Sequence, residues 1–236
     1  MILIKSMQET TKYLCENIQG CVLGYTQSDE ITLILVDYQK LTSSAWFDYE
    51  VQKMCSVAAS MATMAFNKFF ERNVADGYEH RYDVKDECSM PYDLYKTYTN
   101  AINKGAMFDA RVFNIPKEEV TNLIYWRQLD ATRNSIQMVG QANFSHKELQ
   151  NKTCNMIQDM LYEQKGINWN DFPTYQKRGT CIVRNKIVID SDGITKTAML
   201  RDTTKSENEW LIDEDMPILK GEDRKYIDNL IYVGEF

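Results

Sequence analysis

The sequence lacks the run of about eighteen apolar residues that a membrane-spanning helix requires. Its first residues, MILIKSMQETTK, also lack the apolar stretch and cleavage site of a secretory signal. Only two histidines are present, and the six cysteines show no CxxC spacing, which disfavours a zinc site and favours buried free thiols. We therefore expect a cytoplasmic protein without a membrane partner.

Basic residues are fewer than acidic residues, and the difference is unevenly distributed along the chain. The 236 residues include 34 Asp and Glu and 27 Lys and Arg, for a net charge of −7. From Asp190 onward there are twelve acidic and six basic residues, which accounts for −6 of that charge. An acidic protein is at first a poor match for nucleic acid, but the nearly neutral first four-fifths could still carry a basic groove.

The chain has enough apolar material for a buried core, because 44% of its residues are hydrophobic and 11% are aromatic. Apolar periodicity predicts a helix over residues 3–18 that ends at Gly20. No capping residue precedes this helix, so we expect the chain to start inside a secondary-structure element, as a truncated chain would. Two β-prone runs follow, Cys21–Thr26 and Ile31–Val36, and predict an antiparallel hairpin.

The remaining chain alternates predicted helices with short strands. We predict helices at 49–71, 93–104, 117–141 and 145–164, the last opened by a capping box at Ser145. We predict a polar connection at 72–91, and strands at 107–115, on both sides of Asn185-Lys186 and after Gly193. This order indicates an α+β fold, an antiparallel sheet with helices on one face.

Two domains are predicted, a first domain at 1–141 and an α+β extension at 142–236. The extension consists of a helix, a hairpin and an acidic end. Apolar residues recur within that acidic end, among them Trp210, Leu219 and Ile227. We therefore expect it to pack against the protein.

The hairpin tip carries two adjacent carboxylates, Asp29 and Glu30, between apolar runs. Acidic residues are depleted in strands and costly to bury unpaired, so their position needs an explanation. One explanation is a solvated turn, since acidic residues are ordinary turn formers. Another is a salt bridge to a nearby Lys or Arg. The third is a divalent-metal site, because Mg²⁺ binds a few carboxylate oxygens together with phosphates and waters.

A metal site at this tip would indicate phosphoryl transfer. Two ions about 4 Å apart can activate an attacking hydroxyl and stabilise a leaving pyrophosphate. Nucleotide polymerases and cyclases present acids on a β-hairpin in this way, normally with another Asp on a neighbouring strand. The hairpin alone does not decide between these enzymes.

Four motifs, in the order GYTQSDEITLIL, MFDARVFNIP, YWRQLDATRNSI and YQKRGTCIV, resemble the tRNA-histidine guanylyltransferase family. The DATRNSI segment is similar to the Thg1-like bacterial and archaeal branch, whereas the eukaryotic branch has His-Ile-Asn-Asn there. The likeness spans residues 3–183. It implies a palm-like (ferredoxin-like) catalytic domain that extends RNA in the 3′-to-5′ direction.

The resemblance also implies substrates and partners. Members activate a tRNA 5′ end with a nucleoside triphosphate where needed, and the 3′-hydroxyl of an incoming nucleotide then attacks the activated phosphate. We therefore expect two Mg²⁺ ions, ATP or GTP, a tRNA partner and a homotetramer. The outcome would be either tRNA-His guanylylation or repair of a truncated 5′ end.

The resemblance assigns roles to individual residues. Asp29 matches the family's second metal-binding aspartate, and Glu30 adjoins it as a further candidate ligand. Ser28 matches a nucleotide-contacting serine. Lys53 lies where the family has a triphosphate-binding lysine, with a solvated helix lysine as the alternative. Asn134 lies in the segment that corresponds to His-Ile-Asn-Asn, which contacts the nucleotide.

Two arginines of the third motif are candidates for RNA binding. Arg127 and Arg133 are about one and a half helical turns apart and do not share one face. We therefore expect them to serve different partners. One of them is expected to pair with Asp130 or Asp109.

The fourth motif supplies two further candidate RNA contacts, Lys177 and Arg178. They lie beside Tyr175 in a predicted turn, and positive charge next to a stacking ring suits single-stranded RNA ends. A solvated turn is the alternative for each of them. We expect Trp126 and Phe108 in the core.

One departure from the family concerns the second half of the metal site. Members have an Arg-x-Asp-Gly strand before the first helix, and this sequence contains no such motif. If the sequence is complete, the two acids at the tip would hold metal weakly and catalysis would be severely impaired. A catalytically inactive tRNA-binding protein is therefore one alternative to an active nucleotidyltransferase. A palm-type nucleotide cyclase is another.

Overall fold

The computed structural model describes residues 1–83, 90–184, 187–189, 195–197 and 209–232. None of the helices in these ranges combines the length and apolarity needed to cross a bilayer. The chain divides into two compact units, the first formed by Met1–Asn114 and Ile182–Ile212 and the second by Ile115–Cys181 and Asp213–Phe236. The boundary predicted after residue 141 falls inside the second unit.

The described residues form eight α-helices and six strands. The helices are α1 (Ile2–Asn17), α2 (Val51–Asp83), α3 (Tyr92–Lys104), α4 (Val120–Asn143), α5 (His146–Leu149), α6 (Cys154–Lys165), α7 (Thr174–Arg178) and α8 (Lys225–Ile231). The strands are β1 (Cys21–Gln27), β2 (Glu30–Leu35), β3 (Thr180–Arg184), β4 (Ile187–Ile189), β5 (Thr195–Thr197) and β6 (Trp210–Asp213). The predicted mixture of helices with an antiparallel sheet is confirmed, and the sheet order is β2-β1-β3-β6.

Strand β1 is the centre of the first unit. It pairs with β2 in antiparallel register, with Gln27 opposite Glu30, so the hairpin turn has only two residues. All seven residues of β1 are buried. A Cβ atom at Gly24 would lie 2.5 Å from the Sγ of Cys15, so glycine is what allows α1 to pack this closely against the strand.

Helix α2 carries an aromatic part of the first unit's core. Phe66 and Phe70 stack with ring centroids 5.5 Å apart, and the ring of Phe108 lies 5.5 Å from that of Phe66. Met7 of α1 and Val74 of α2 complete this cluster of buried residues. The two helices and the aromatic rings therefore form one continuous apolar layer.

Helix α2 is longer than predicted, so the polar connection expected at 72–91 is wrong up to Asp83. Val74 is 1% exposed, and Asn73 is buried with its amide 3.1 Å from the Oγ of Ser6 and 2.7 Å from Oε2 of Glu9. Asn73, a polar residue of this segment, therefore faces inward and contacts α1. Polarity alone did not reveal this orientation, because the hydrogen bonds of Asn73 are long-range.

The strand expected at 107–115 is also wrong for the described residues, in which 105–116 has no assigned secondary structure. Its side chains do alternate between half-buried and exposed, as an extended chain requires. Its backbone, however, bonds to side chains of α2. The amide of Asn67 binds both the N–H of Ala106 at 2.8 Å and its carbonyl at 2.9 Å, and the hydroxyl of Thr63 accepts from the N–H of Phe108 at 3.0 Å.

Helix α4 is the centre of the second unit. Its Ile136 packs with Leu161 and Trp169 in a separate apolar cluster. Gln128 is buried, and its amide donates to the carbonyl of Pro217 at 2.8 Å and accepts from the N–H of Leu219 at 3.1 Å. The acidic end of the chain therefore packs as expected, and a polar side chain fixes it.

The capping box predicted at Ser145 is confirmed, but the single helix predicted to follow it is wrong. Helix α5 ends after one turn, Asn151 takes a φ of 60°, and the hydroxyl of Thr153 caps a second helix, α6. Two N-capping residues eight positions apart thus begin two helices. Gly166, in the left-handed conformation, ends α6.

The predicted elements after β3 are only partly described. The turn expected at Asn185-Lys186 lies outside the described residues. The hairpin expected around that turn is wrong for the strands that the structure describes, because β3 lies between β1 and β6 in the four-stranded sheet, whereas β4 pairs with β5. The strand expected after Gly193 is confirmed as β5, which pairs with β4 in antiparallel register. The expected free thiols are confirmed at the described cysteines, of which Cys15, Cys21 and Cys181 are buried, whereas Cys55 and Cys154 are half-buried.

Candidate functional site

The β1–β2 turn projects polar side chains into solvent. Ser28 adopts a φ of 51°, the left-handed conformation that two-residue hairpin loops favour. The hydroxyl of Thr26 donates to the carbonyl of Glu30 at 2.9 Å and closes the turn. Ser28, Asp29 and Glu30 are all exposed, directly after the buried strand β1. A fixed strand thus presents these three side chains from a tight turn.

The two carboxylates of the turn differ in their surroundings. Oε2 of Glu30 accepts a hydrogen bond from Nε2 of Gln27 at 3.0 Å. Asp29 makes no hydrogen bond or ion pair with any residue that the structure describes. A salt bridge therefore does not account for Asp29 within the described ranges, and its carboxylate is open to water or to a ligand.

The donor set at the turn fits a hydrated magnesium ion. Two exposed carboxylates suit a cation that keeps several waters and shares its remaining positions with phosphate oxygens. Within the described ranges, however, no group of three or more His, Cys, Asp or Glu side chains comes together as a metal site. Asp29 and Glu30 therefore supply only part of the donor set that the predicted two-ion centre needs.

Lys53 lies in the first turn of α2 and is supported by aromatic rings. Its Nζ is 4.6 Å from the ring centroid of Phe47, which lies 4.7 Å from that of Trp46. Three consecutive residues from Phe47 have positive φ, a conformation that costs about 1 kcal/mol or more per residue. The hydroxyl of Tyr49 donates to Asp37, and this hydrogen bond raises the pKa of Tyr49. The lysine is thus placed by a defined loop.

In α4, Asp130 contacts two residues that the resemblance associates with nucleotide and RNA. A guanidinium nitrogen of Arg133 lies 3.0 Å from one oxygen of Asp130, and Nδ2 of Asn134 donates to the other at 3.1 Å. Of the two ion-pair partners considered, Asp130 is confirmed for Arg133. Asp109 instead lies 3.6 Å from Arg111. A ligand of Arg133 or Asn134 would therefore compete with an internal carboxylate.

Lys177 and Arg178 lie in α7, a short helix and not the expected turn. Nζ of Lys177 donates to the carbonyl of Asn170 at 2.6 Å and lies 5.6 Å from the ring centroid of Trp169. The ring beside this lysine is therefore Trp169 and not Tyr175. Because Trp169 is buried, it orients the cation and is not itself an open stacking surface.

One of the two aromatic residues expected in the core is exposed. Trp126 is 70% exposed, which makes that prediction wrong, because the buried face of α4 is the one that carries Ile124 and Gln128. Arg127, next to Trp126, is half-buried. The core prediction for Phe108 is confirmed by its packing in the aromatic cluster.

Solved structures resemble this chain over nearly its whole length. A bacterial tRNA(His) guanylyltransferase (Thg1)-like protein in complex with ATP matches with a TM-score of 0.72 and 37% identity, covering 98% of this chain and 80% of that chain. Such a protein in complex with GTP matches at 0.66 and 34%, covering 98% and 79%. The family model described as Thg1, tRNAHis guanylyltransferase, matches residues 2–116. The chain belongs to the Thg1 family.

Two relatives of lower sequence identity give weaker support for the function of this Thg1-family chain. The tRNA(His) guanylyltransferase from Saccharomyces cerevisiae is 16% identical at a TM-score of 0.52, over 86% of this chain and 79% of that chain, a likeness of fold alone. An uncharacterized protein of Acanthamoeba polyphaga mimivirus is 29% identical over 184 residues, 73% of this chain. The chain spans 58% of that relative's length. The motif-based family prediction is confirmed, and the roles of single residues stay predictions.

Sequence reasoning missed the aromatic support of the predicted triphosphate lysine in this Thg1-family chain. The available signal was the dipeptide Trp46-Phe47, which precedes Lys53 by about two helical turns. Such a spacing is common in proteins and does not predict a contact. Only the left-handed backbone of the loop brings the Phe47 ring to Lys53.

Proposed function

We propose that this protein is a nucleotidyltransferase that adds nucleotides to the 5′ end of tRNA in the 3′-to-5′ direction, by tRNA-His guanylylation or by 5′-end repair. The observation that carries the proposal is the carboxylate of Asp29 at the exposed turn, which makes no hydrogen bond or ion pair with any described residue and lies within the motif GYTQSDEITLIL. Relatives solved with ATP and with GTP support nucleoside triphosphates as substrates.

In this proposal the residues of the first unit bind the triphosphate. Asp29, with Glu30 beside it, would hold magnesium, which when bound neutralises phosphate charge and polarises the reacting phosphorus. Ser28 offers its hydroxyl and its backbone N–H next to the ion. Lys53, oriented by Phe47, neutralises charge on the same triphosphate. These groups bind and orient the nucleotide so that an in-line attack by a hydroxyl becomes probable.

The residues of the second unit are proposed to contact RNA or nucleotide. Arg133 and Asn134 would exchange their bonds to Asp130 for bonds to the ligand. Arg127, Lys177 and Arg178 would meet phosphates, which hold RNA in position without reading its sequence. A homotetramer, as the resemblance implies, and a location in the cytoplasm complete the proposal, and sedimentation velocity tests the tetramer.

A second candidate is a tRNA-binding protein without catalytic activity. It is favoured by the absence, among the described residues, of a cluster of three or more metal-ligating side chains. In this case the acidic turn would contribute little to tRNA binding.

One experiment separates the two candidates. The protein is incubated with Mg²⁺, labelled GTP or ATP and a tRNA that lacks its 5′-terminal nucleotide, and the RNA is sized on a denaturing gel. Extension that is lost on chelation and in Asp29→Ala supports the enzyme. Tight tRNA binding without extension supports the second candidate. A cyclic nucleotide formed without RNA would contradict both and favour the cyclase.

A further inference from the structure

A second polar site lies in the first unit, at the end of the β1–β2 hairpin opposite the acidic turn. It is a cleft of about 230 Å³ lined by residues at the start of β1, at the end of β2, in the loop that follows, and by Arg184 at the end of β3. We call it the Arg184 cleft. The seven residues of β1 separate it from Asp29 by about 20 Å. The cleft is therefore distinct from the candidate metal site.

The Arg184 cleft has the side chains of an anion site. Two cations, Lys40 and Arg184, lie at its wall together with the hydroxyls of Thr42, Ser43 and Ser44. None of the described residues that line it is acidic, although the protein carries a net charge of −7. Lys40 is exposed, and its ammonium makes no bond with any residue in the described ranges. Both positive charge and neutral donors are thus available to a ligand.

The loop that forms the Arg184 cleft is fixed by hydrogen bonds. Nε2 of Gln19 donates to the carbonyl of Ser44 at 2.9 Å and to its hydroxyl at 2.8 Å. The N–H of Lys40 donates to the hydroxyl of Ser43 at 3.1 Å, and the N–H of Ser43 donates back to the carbonyl of Lys40 at 2.9 Å. The donors therefore need little reorganisation on binding.

The floor and one wall of the Arg184 cleft, like its loop, are held by specific contacts. The N–H of Val36 donates to the carbonyl of Gly20 at 2.8 Å, and Gly20 has a φ of +78°, where a Cβ would approach the Val36 oxygen to 3.0 Å. The guanidinium of Arg184 stacks over the buried ring of Trp210, 4.9 Å from its centroid. This stacking orients the guanidinium fork while leaving its N–H groups free of the ring.

We infer that the Arg184 cleft binds a phosphate of the RNA backbone, as a docking point about 20 Å from the turn that carries Asp29. A guanidinium fork, an ammonium and several hydroxyls are the donors that phosphate recognition uses. The cleft is smaller than the roughly 300 Å³ at which whole-ligand pockets begin, and its cations and hydroxyls suit a single phosphate group. RNA as the source of that phosphate rests on the proposed function, whereas the anion site does not.

The test compares two double variants of equal charge change. Lys40→Gln with Arg184→Gln removes both cations of the Arg184 cleft, and Lys96→Gln with Lys104→Gln removes two exposed lysines of α3. The affinity for tRNA is measured by filter binding at about 50 mM and 200 mM salt. If the one phosphate contact is lost, wild type should lose about three- to fourfold more affinity than the cleft variant over this salt range. The α3 variant is expected to follow wild type.

Several results would overturn the inference. A cleft variant with the salt dependence of wild type would exclude phosphate contact, and an equal change in both variants would show a general effect of net charge. Because Arg184 packs on Trp210, the single variant Lys40→Gln is measured as well. The ammonium of Lys40 makes no hydrogen bond or ion pair with any residue in the described ranges, so Lys40→Gln is expected to show about half of the change in salt dependence that the double variant shows.

A second arm identifies the source of the phosphate. Calorimetry with inorganic pyrophosphate tests the anion site without RNA, and binding heat that is smaller in the cleft variant than in wild type supports that site. Pyrophosphate binding with unchanged tRNA affinity in the cleft variant would overturn RNA as the occupant. If wild type bound pyrophosphate but no tRNA, the proposed function would fail and the anion site would remain. If it bound neither, both would fail.

Discussion

Asp29 and Asp130 are both exposed enough to meet solvent, and both lie in motifs of the Thg1 family, but their surroundings differ. Asp29 ends a buried strand of the first unit and has no partner among the described residues. Asp130 lies on a helix of the second unit and bonds to both Arg133 and Asn134. A carboxylate without a protein partner keeps its charge for a ligand, whereas a paired one holds its neighbours in place. We therefore propose that Asp29 binds a ligand, whereas Asp130 positions Arg133 and Asn134.

The largest effect is expected for Asp29→Asn, which removes the charge and keeps the shape. The rate of nucleotide addition should fall by at least about 100-fold, because a magnesium ligand is lost. The melting temperature should stay within about 1 °C, since the side chain is exposed and makes no hydrogen bond or ion pair with a described residue. Glu30→Gln is the matched control and should lose about tenfold or less. Equal rates in Asp29→Asn and wild type would contradict the assignment.

A substitution in β1, the strand that leads into the turn, should lower the stability of the protein and should not affect catalysis specifically. In Gly24→Ala the new Cβ would approach the Sγ of Cys15 to 2.5 Å and a methyl of Thr11 to 2.7 Å. Overpacking of this kind costs about 1–3 kcal/mol and should lower the urea midpoint. Gly166→Asn is the control, because no atom lies within 4 Å of its Cβ position and Asn tolerates its backbone conformation. A midpoint equal to wild type in Gly24→Ala would show that α1 can move away.

A smaller loss of stability is expected in the second unit from Ser145→Ala. Its side chain caps α5, and losing an N-cap of this type costs about 1 kcal/mol. The same hydroxyl and the N–H of Ser145 bond to Glu148 and lower the pKa of that carboxyl. A lowered folded-state pKa gives stability that is present above the unfolded pKa of about 4.3 and is lost as the pH falls through the folded value.

The capping box therefore predicts a pH signature. The difference in urea midpoint between wild type and Ser145→Ala should be full at pH 7 and should shrink below about pH 4. Ser60→Ala, an exposed serine within α2, should show no such pH dependence. A difference that grows on acidification would contradict the hydrogen bonds to Glu148.

The smallest effect is expected for Asp130→Asn. Its ion pair with Arg133 is exposed, at 62% for the arginine and 41% for the aspartate, and such pairs contribute at most about 1 kcal/mol. Stability should therefore change little. If Arg133 meets RNA, its release from Asp130 should raise tRNA affinity slightly, as measured by filter binding. A loss of nucleotide addition as large as that of Asp29→Asn would remove the distinction between the two carboxylates.

The local elements of this fold were predictable, and the errors have identifiable causes. The hairpin, α1, α3 and the capping box at Ser145 follow from apolar period, glycine and capping residues, which act within a few positions. The segment expected as a strand at 107–115 does show alternating exposure of its side chains, but it has no assigned pairing with another strand. Instead, side chains of Asn67 and Thr63 in α2 form hydrogen bonds with the backbone of Ala106 and Phe108. The extension of α2 was hidden for the same reason, since Asn73 is polar in sequence and buried by long-range bonds.

The sequence motifs identified the candidate site residues. They did not predict which of these residues lie close to one another in the structure. Asp29 was identifiable because adjacent acids between β-prone runs are unusual. No pattern indicated that Trp169 would hold Lys177, or that Lys40 and Arg184, 144 positions apart, would line one cleft. Contacts between positions far apart in sequence depend on how helices and strands pack together. The local patterns of a single sequence predict those helices and strands but not their packing.

The sequence by itself determined the family, the hairpin with its acidic turn and the residue types available for phosphate chemistry, because these depend on short motifs. The tertiary structure decided which of those residues have polar partners: Asp29 makes no hydrogen bond or ion pair with a described residue, whereas Asp130 bonds to Arg133 and Asn134. It also placed an acidic turn and a cationic cleft at opposite ends of the same two strands. The physical reason is that pairing and burial are long-range properties of the packed chain, whereas charge and propensity belong to each residue alone.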